Sequence, residues 1–298
     1  MSSVSNDIRN SLRGRNSTLN RIIALNVFVF VGINVLKLFY FLSGNENSFG
    51  NVIGWLGVPA STSRLLERPW TIITYCFTHV DFFHILFNMI FLYWLGNLIV
   101  EYLGNKKIIP LYILGSVTGA AVYILAYNLF PVFKPALPYA MAIGASGGVL
   151  AILVAAATLL PNYSVMLIFI GPVRLVWIAA IYVIIDLLSI PNGNAGGHLA
   201  HLGGALFGFL FIRGLKNGID LGGWMNRFID WVTVLFSKRK NVPRVVHSHM
   251  TKENVKAKKL TDERQAKLDS ILEKISRSGY DNLTAEEKEF LFRASRED

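Results

Sequence analysis

Charge is scarce in the middle of this sequence. Charged residues make up 16% of the 298 residues, whereas soluble domains usually carry about a quarter. The charges that are present concentrate towards the two ends, and 53% of all residues are apolar. Long apolar stretches with few charges are typical of membrane-spanning helices. We therefore expect an integral membrane domain whose charged ends lie outside the bilayer.

Cysteine and the common metal-binding patterns are also lacking. Cys76 is the only cysteine, which excludes an internal disulfide framework. The zinc-protease pattern His-Glu-x-x-His does not occur, so we expect no metal and no other cofactor. The net charge is +10, but the basic residues flank apolar segments, as the positive-inside rule predicts. Since no basic face with interleaved aromatic residues stands out, we expect no nucleic-acid binding.

Six apolar segments predict an all-α, polytopic membrane protein. Each approaches the length needed to cross a hydrocarbon core about 30 Å thick, although the fourth and sixth are short. The first segment is long and lacks a prompt cleavage site, so we expect a retained helix and not a signal peptide. The segments are residues 22–42, 82–102, 108–130, 146–160, 175–190 and 199–215.

The rest of the chain divides by composition. We expect a basic cytoplasmic N-terminus (1–21), a six-helix membrane domain (22–216), an interfacial amphipathic helix (217–237), a basic linker (238–259) and a small soluble cytoplasmic helical hairpin (260–298). Thr284 and Glu287 form the capping box of the last helix. Basic residues before the first segment, between the second and third, and after the sixth place both termini in the cytoplasm. The second, fourth and sixth segments then begin at the outer face.

A serine among small residues opens the fourth segment, in Gly144-Ala-Ser146-Gly147-Gly148. A serine hydroxyl becomes a useful nucleophile when a base removes its proton. The small neighbours permit close helix approach, and an amide in the first helical turn stays free for an oxyanion. The same glycines are also common in ordinary membrane helix packing. The motif alone leaves both interpretations open.

Two histidines compete for the role of base. His201 stands three residues before Gly204, which forms a Gly-x-x-x-Gly face with Gly208. Packing of that face against Gly147 would bring the imidazole to the serine hydroxyl. His198, about one turn earlier, is the alternative.

Other polar residues interrupt the apolar segments. His84 and Asn88 lie one turn apart on one face of the second segment and suit an oxyanion site together with the Ser146 amide. His79 fits a structural hydrogen bond at the membrane edge. Asp186, in the fifth segment, is expected to cap or pair structurally, and a role in orienting the base stays open.

These motifs together resemble the rhomboid family of intramembrane serine proteases, of bacterial type, over most of residues 20–216. The resemblance rests on His-Ile-Leu-Phe-Asn at 84–88, Gly-Ala-Ser-Gly at 144–147 and Ala-His-Leu-Gly-Gly-Ala-Leu-Phe-Gly at 200–208. It implies a Ser146–His201 dyad without an acidic member, an acyl-enzyme intermediate, and an oxyanion hole of His84, Asn88 and the Ser146 amide. It also implies cleavage of transmembrane substrates near the outer face of a bacterial cytoplasmic membrane.

The sequence departs from the family pattern at several places. Leu150 stands where many members carry an aromatic residue packed against the base, and the first loop reads Arg68-Pro-Trp70-Thr in place of the tryptophan-arginine motif. A catalytically silent relative that binds membrane clients is the main alternative function. A transporter or a metal protein is a further alternative, and the scarcity of charge within the segments counts against transport. The sequence indicates neither a particular substrate nor an oligomeric state.

Overall fold

The computed structural model describes residues 17–167, 170–236 and 252–294. The chain divides into two compact units, Met1–Phe236 and Ser237–Asp298. Five of the described helices are long and apolar enough to cross a membrane, and a shorter apolar helix spans Ser146–Leu159. The prediction of an all-α polytopic membrane protein is therefore confirmed.

Ten helices make up the described part of the first unit. Four of them are α1 (Ser17–Leu42), α5 (Phe82–Leu103), α6 (Ile108–Leu129) and α7 (Ser146–Leu159). The others that reach or flank the membrane are α8 (Leu175–Ser189), α9 (Ala195–Lys216) and α10 (Gly223–Phe236). The first loop contains the short helices α2 (Glu46–Gly54), α3 (Thr62–Glu67) and α4 (Thr71–Thr74).

Helix α7 lies at the centre of the bundle, in contact with α5, α6, α8 and α9. Ten of its 14 residues are buried, and most of these are glycine, alanine or branched aliphatic residues. A helix this short leaves its ends within the depth of a bilayer, which is tolerated where protein encloses them. The short fourth segment is thus the core of the fold.

Helix α9 packs directly on the backbone of α7. A Cβ added at Gly204 would collide with the carbonyl oxygen of Gly147, and one added at Gly208 would collide with that of Ala151. Helix α6 also packs closely on α7, since a Cβ at Gly148 would lie 2.6 Å from the Tyr112 carbonyl oxygen. Small residues allow helices in membranes to reach this separation.

The sixth segment begins earlier than predicted. Helix α9 starts at Ala195, directly after Asn194, whose φ of 48° is left-handed. The predicted sixth segment began at residue 199, so Gly196 lay before it. In the structure Gly196 packs on the Tyr123 ring, and an added Cβ would lie 2.9 Å from it. Tertiary packing therefore extends the helix and places His201 in its second turn.

Two small antiparallel sheets accompany the helices. Strand β1 (Val58–Pro59) pairs with β2 (Met141–Ala142), and β3 (Ser164–Leu167) pairs with β4 (Gly171–Arg174). The first pair joins the first loop to the segment that leads into α7. Pairs this short leave little periodicity in a sequence, and the β1–β2 pair depends on a contact across some eighty residues.

The described part of the second unit contains α11 (Lys252–Ser278) and α12 (Ala285–Ala294). The Glu287 carboxylate accepts from the Thr284 N–H at 2.7 Å, and the Glu287 N–H donates to the Thr284 hydroxyl at 3.3 Å. Helix α11 begins inside the predicted linker, because its lysines, glutamate and alanine are good helix formers. The helix thus starts before the predicted hairpin boundary at residue 260. The linker up to residue 251 lies outside the described residues, as do residues 1–16 of the predicted N-terminus.

The contact between α7 and α9 makes Gly204→Ala a direct test of the packing. The added methyl group has no room beside the Gly147 carbonyl oxygen. We expect a loss of roughly 1–3 kcal/mol in unfolding free energy, typical of overpacking. Unfolding of the purified protein in detergent measures it. Gly32→Ala on α1 is the control, since nothing lies within 4 Å of its added Cβ. Equal stability of the two variants would contradict the assigned contact.

Candidate active site

Ser146 is the first residue of α7 and is half-buried. Its amide therefore belongs to the first turn, where N–H groups have no intrahelical acceptor. Two residues earlier, Gly144 adopts a φ of 119°, and a Cβ there would lie 2.9 Å from His84 Nε2. Gly144 was predicted to serve helix packing. It instead precedes the helix and makes room for the His84 ring.

His79 holds the residue before the serine. It is fully buried, and its Nε2 accepts the Ala145 N–H at 3.1 Å. Burial, together with the neighbouring His84 ring 5.0 Å away, lowers the pKa of His79 to about 4. The imidazole consequently stays neutral and keeps its acceptor at physiological pH. This is a structural hydrogen bond of the kind that the sequence indicated for His79.

His84 and Asn88 line a cavity of about 760 Å³ that also contains Ser146 and His201. Asn88 donates one amide hydrogen to the His84 carbonyl at 2.8 Å, which leaves its second hydrogen for another acceptor. Asp81 caps α5 by accepting the His84 N–H at 2.8 Å. Asp81 was not among the predicted site residues, although an aspartate directly before an apolar helix is a common capping signal.

His201 reaches the cavity from the second turn of α9. In the described part of the chain, no direct hydrogen bond joins the Ser146 hydroxyl to His201. Catalytic hydrogen bonds are often long before a substrate binds. The Tyr182 ring of α8 lies 6.3 Å from the His201 ring. His201 thus has an aromatic neighbour, but from α8 and not from position 150.

A carboxylate lies behind the histidine pair. Asp186 Oδ1 is 2.7 Å from His198 Nδ1 and 3.0 Å from His201 Nδ1, and Oδ2 is 3.2 Å from His201 Nδ1. The resemblance implied a dyad without an acidic member, and the structure differs from it here. Asp186 and His201 are 15 residues apart on separate helices. Spacing alone did not reveal the pairing, because only packing of α8 on α9 creates it.

The carboxylate constrains the chemistry of both rings. A carboxylate that accepts hydrogen bonds from both rings favours the tautomer of each neutral imidazole with its proton on Nδ1. In that tautomer His201 Nε2 is the free nitrogen that a general base requires. His198 shares the same carboxylate oxygen, so the two histidines are not independent alternatives. The atoms of Asp186, His198 and His201 that could coordinate a metal ion all lie within 4.8 Å of one another.

Comparison with known proteins identifies the fold. The Rhomboid domain profile matches residues 66–217, which is half of the chain. The chain belongs to the rhomboid family. This confirms the resemblance in the sequence and agrees with an all-α polytopic membrane bundle. A second profile, a family of unknown function (DUF6576), matches residues 256–297, so the tail is outside the rhomboid domain.

Curated relatives are similar over part of their length. RHOMBOID-like protein 12, mitochondrial, of Arabidopsis thaliana is 33% identical over 147 residues, covering 46% of this chain and 44% of that protein. Presenilin-associated rhomboid-like protein, mitochondrial, of Bos taurus is 29% identical over 243 residues, covering 79% and 57%. The Homo sapiens protein of that name is 28% identical over 211 residues, covering 68% and 49%. The chain spans about half the length of these relatives.

The relatives bear on where this rhomboid resides. Their names place them in mitochondria, so they give no support to the predicted bacterial cytoplasmic membrane. The coarser prediction of an integral membrane protein is confirmed by the family and by the apolar helices.

The buried His79 makes the stability of this rhomboid depend on pH. Its folded-state pKa of about 4 lies below the ordinary 6.5, so the unfolded chain takes up a proton that the folded protein resists. The stabilising contribution is present above about pH 6.5 and is lost as the pH falls towards 4. We expect the unfolding temperature to drop more steeply over this interval in the wild type than in His79→Gln.

Glutamine is the matched replacement because its carbonyl can still accept the Ala145 N–H but does not titrate. The remaining histidines are identical in both proteins, so the difference between the two curves isolates His79. Parallel curves from pH 7 to 4 would show that His79 is not the source of the dependence.

Proposed function

We propose that this rhomboid is an intramembrane serine endopeptidase that cleaves transmembrane proteins near the outer membrane face. The observation that carries the proposal is one cavity shared by Ser146 and His201, with the His201 Nδ1 held by Asp186. A nucleophile, a base and a group that orients the base are the arrangement required for serine acyl transfer.

The mechanism follows from the placement of these groups. His201 Nε2 takes the Ser146 hydroxyl proton as the oxygen attacks the scissile carbonyl carbon. The negative oxygen that forms accepts hydrogen bonds from the Ser146 amide, His84 and Asn88. His201 then returns the proton to the leaving amine, which departs and leaves an acyl-enzyme. Water attacks this ester with His201 again acting as base. Asp186 stabilises the imidazolium in both steps.

We expect a substrate helix to reach the cavity by passing alongside α8. Leu175, Ala179 and Asp186 are the buried residues of this helix, and most of its other side chains are exposed. Few buried contacts mean that little free energy opposes displacement of the helix. The Asp186 pairing with α9 lies at the same end as the cavity, so movement of α8 bears directly on the base. Substrates would therefore approach from the lipid between α8 and α5.

A catalytically silent protein that binds membrane clients is the second candidate function. The rhomboid fold and its lipid-exposed helices support client binding equally well. The simultaneous presence of Ser146, His201, His84 and Asn88 around one cavity favours the protease. We also propose that both termini lie on the cytoplasmic side, because the basic residues flank an even number of spans.

Ser146→Ala tests the nucleophile. We expect loss of all measurable cleavage of a test transmembrane substrate in detergent or liposomes, because no hydroxyl remains to form the acyl-enzyme. Fluorophosphonate labelling of the wild type, and none of the variant, measures the same step directly. The unfolding temperature of the variant serves as the control for folding. Cleavage by a folded Ser146→Ala protein would refute the proposed nucleophile, and absent labelling of folded wild type would favour the silent client-binding protein.

Asp186→Asn tests the orienting carboxylate. An amide can donate as well as accept, so His201 is no longer held with its proton on Nδ1. We expect kcat to fall roughly 100-fold, the lower end of what general acid–base catalysis contributes, with little change in KM. The matched control is His198→Gln, which frees one partner of the carboxylate and leaves the Asp186–His201 contact. A wild-type kcat for Asp186→Asn, or a loss confined to KM, would contradict this role.

A further inference from the structure

The side chains of Asp186, His198 and His201 also form a set of potential metal ligands. We propose that these three side chains bind a zinc-class divalent ion, and that the bound ion reversibly switches off the base. The inhibitory consequence rests on the proposed protease function, whereas the binding itself does not. The ion would be a regulator of this rhomboid, since the proposed cleavage mechanism needs no metal.

The ligand set suits zinc by chemistry. Two imidazole nitrogens and one carboxylate oxygen, with a fourth position open to water, match open zinc sites. Magnesium and calcium prefer sites built from oxygen alone, so the two nitrogens select against them. The Asp186 carboxylate would partly neutralise the charge of the ion.

The geometry requires only small side-chain movements. In a tetrahedral site with bonds of 2.0–2.1 Å, the ligand atoms are about 3.3 Å apart. The Asp186 Oδ1 now lies 2.7 Å from His198 Nδ1 and 3.0 Å from His201 Nδ1. An ion entering between them would widen these two separations by about 0.6 and 0.3 Å and replace both hydrogen bonds. The histidine ligand atoms, which lie within 4.8 Å of each other, would settle at the same spacing. The two histidines lie three residues apart on one face of α9, so both rings face α8.

An ion has a route to the cluster. The Asp186 side chain is 4% exposed, but that of His198 is 21% exposed and that of His201 is 14% exposed. His198 therefore offers the first contact at the surface, and the buried carboxylate completes the site. A surface histidine without such a partner would bind an ion only weakly.

Binding would change the proton on His201. A neutral imidazole bound to an ion through Nδ1 carries its proton on Nε2. The nitrogen needed as a proton acceptor for Ser146 would then be a donor and could not act as a base. No proton is gained or lost, because the Nδ1 proton of the free ring reappears on Nε2. The ion would also tie α8 to α9, beside the proposed path for substrates.

The test uses zinc ions and the purified full-length protein. We expect micromolar Zn²⁺ to inhibit cleavage of a test transmembrane substrate, chelator to restore it, and equal Mg²⁺ to have no effect. His198→Gln keeps the Asp186–His201 contact and lies outside the proposed catalytic machinery. It should retain basal activity and need at least tenfold more Zn²⁺ for half-inhibition. The control is His247→Gln with His249→Gln, which removes the two tail histidines and should leave inhibition unchanged.

Direct binding separates this inference from the protease proposal. Ser146→Ala should bind Zn²⁺ in calorimetry, and Co²⁺ with visible absorption bands, whether or not the wild type cleaves any substrate. Adding His198→Gln to that variant should weaken binding at least tenfold, and His198→Asn is the second substitution if the first fails to fold. Equal Zn²⁺ affinity with and without His198, or no binding to folded Ser146→Ala, would overturn the metal site. Binding without inhibition would overturn the switch.

Discussion

The close backbone contact between α7 and α9 is the constraint on which the rest of this rhomboid depends. Gly204 and Gly208 rest on the carbonyl groups of Gly147 and Ala151, with no space for a side chain between the helices. Because α7 begins one residue before Gly147 and His201 lies one turn before Gly204, the contact that packs the bundle also sets the distance between the proposed nucleophile and base. The same helix contact therefore determines both the stability of the bundle and the geometry of the proposed site.

Buried polar side chains complete what helix packing begins. A polar group without a partner is costly in apolar surroundings, so each pairing fixes a position firmly. His79 fixes the backbone before the serine through Ala145, and Asp186 fixes the His201 ring. Both contacts join elements that are far apart in sequence. The proposed site is thus preorganised by groups that need never touch a substrate.

Asp186 links several properties of the molecule. It is among the few buried residues of α8, so its pairing with α9 secures the helix that we expect substrates to pass. The same carboxylate decides which imidazole nitrogen carries a proton. Two histidines on one carboxylate also make the cluster a potential metal ligand set, which a single histidine would not. The features that orient a base and those that attract a transition metal are chemically the same.

Hydropathy and local spacing were enough to predict the membrane helices, the start of α5 at Phe82 and the start of α7 at Ser146, because these are properties of neighbouring residues. Three short motifs carried the resemblance to the family. The Thr284 capping box was visible for the same reason. Tertiary structure alone decided the Asp186–His201 pairing, the extension of α9 back to Ala195 and the place of Gly144 beneath His84. Each of these depends on which helices approach one another and how closely, and a single sequence does not encode that distance in any local pattern.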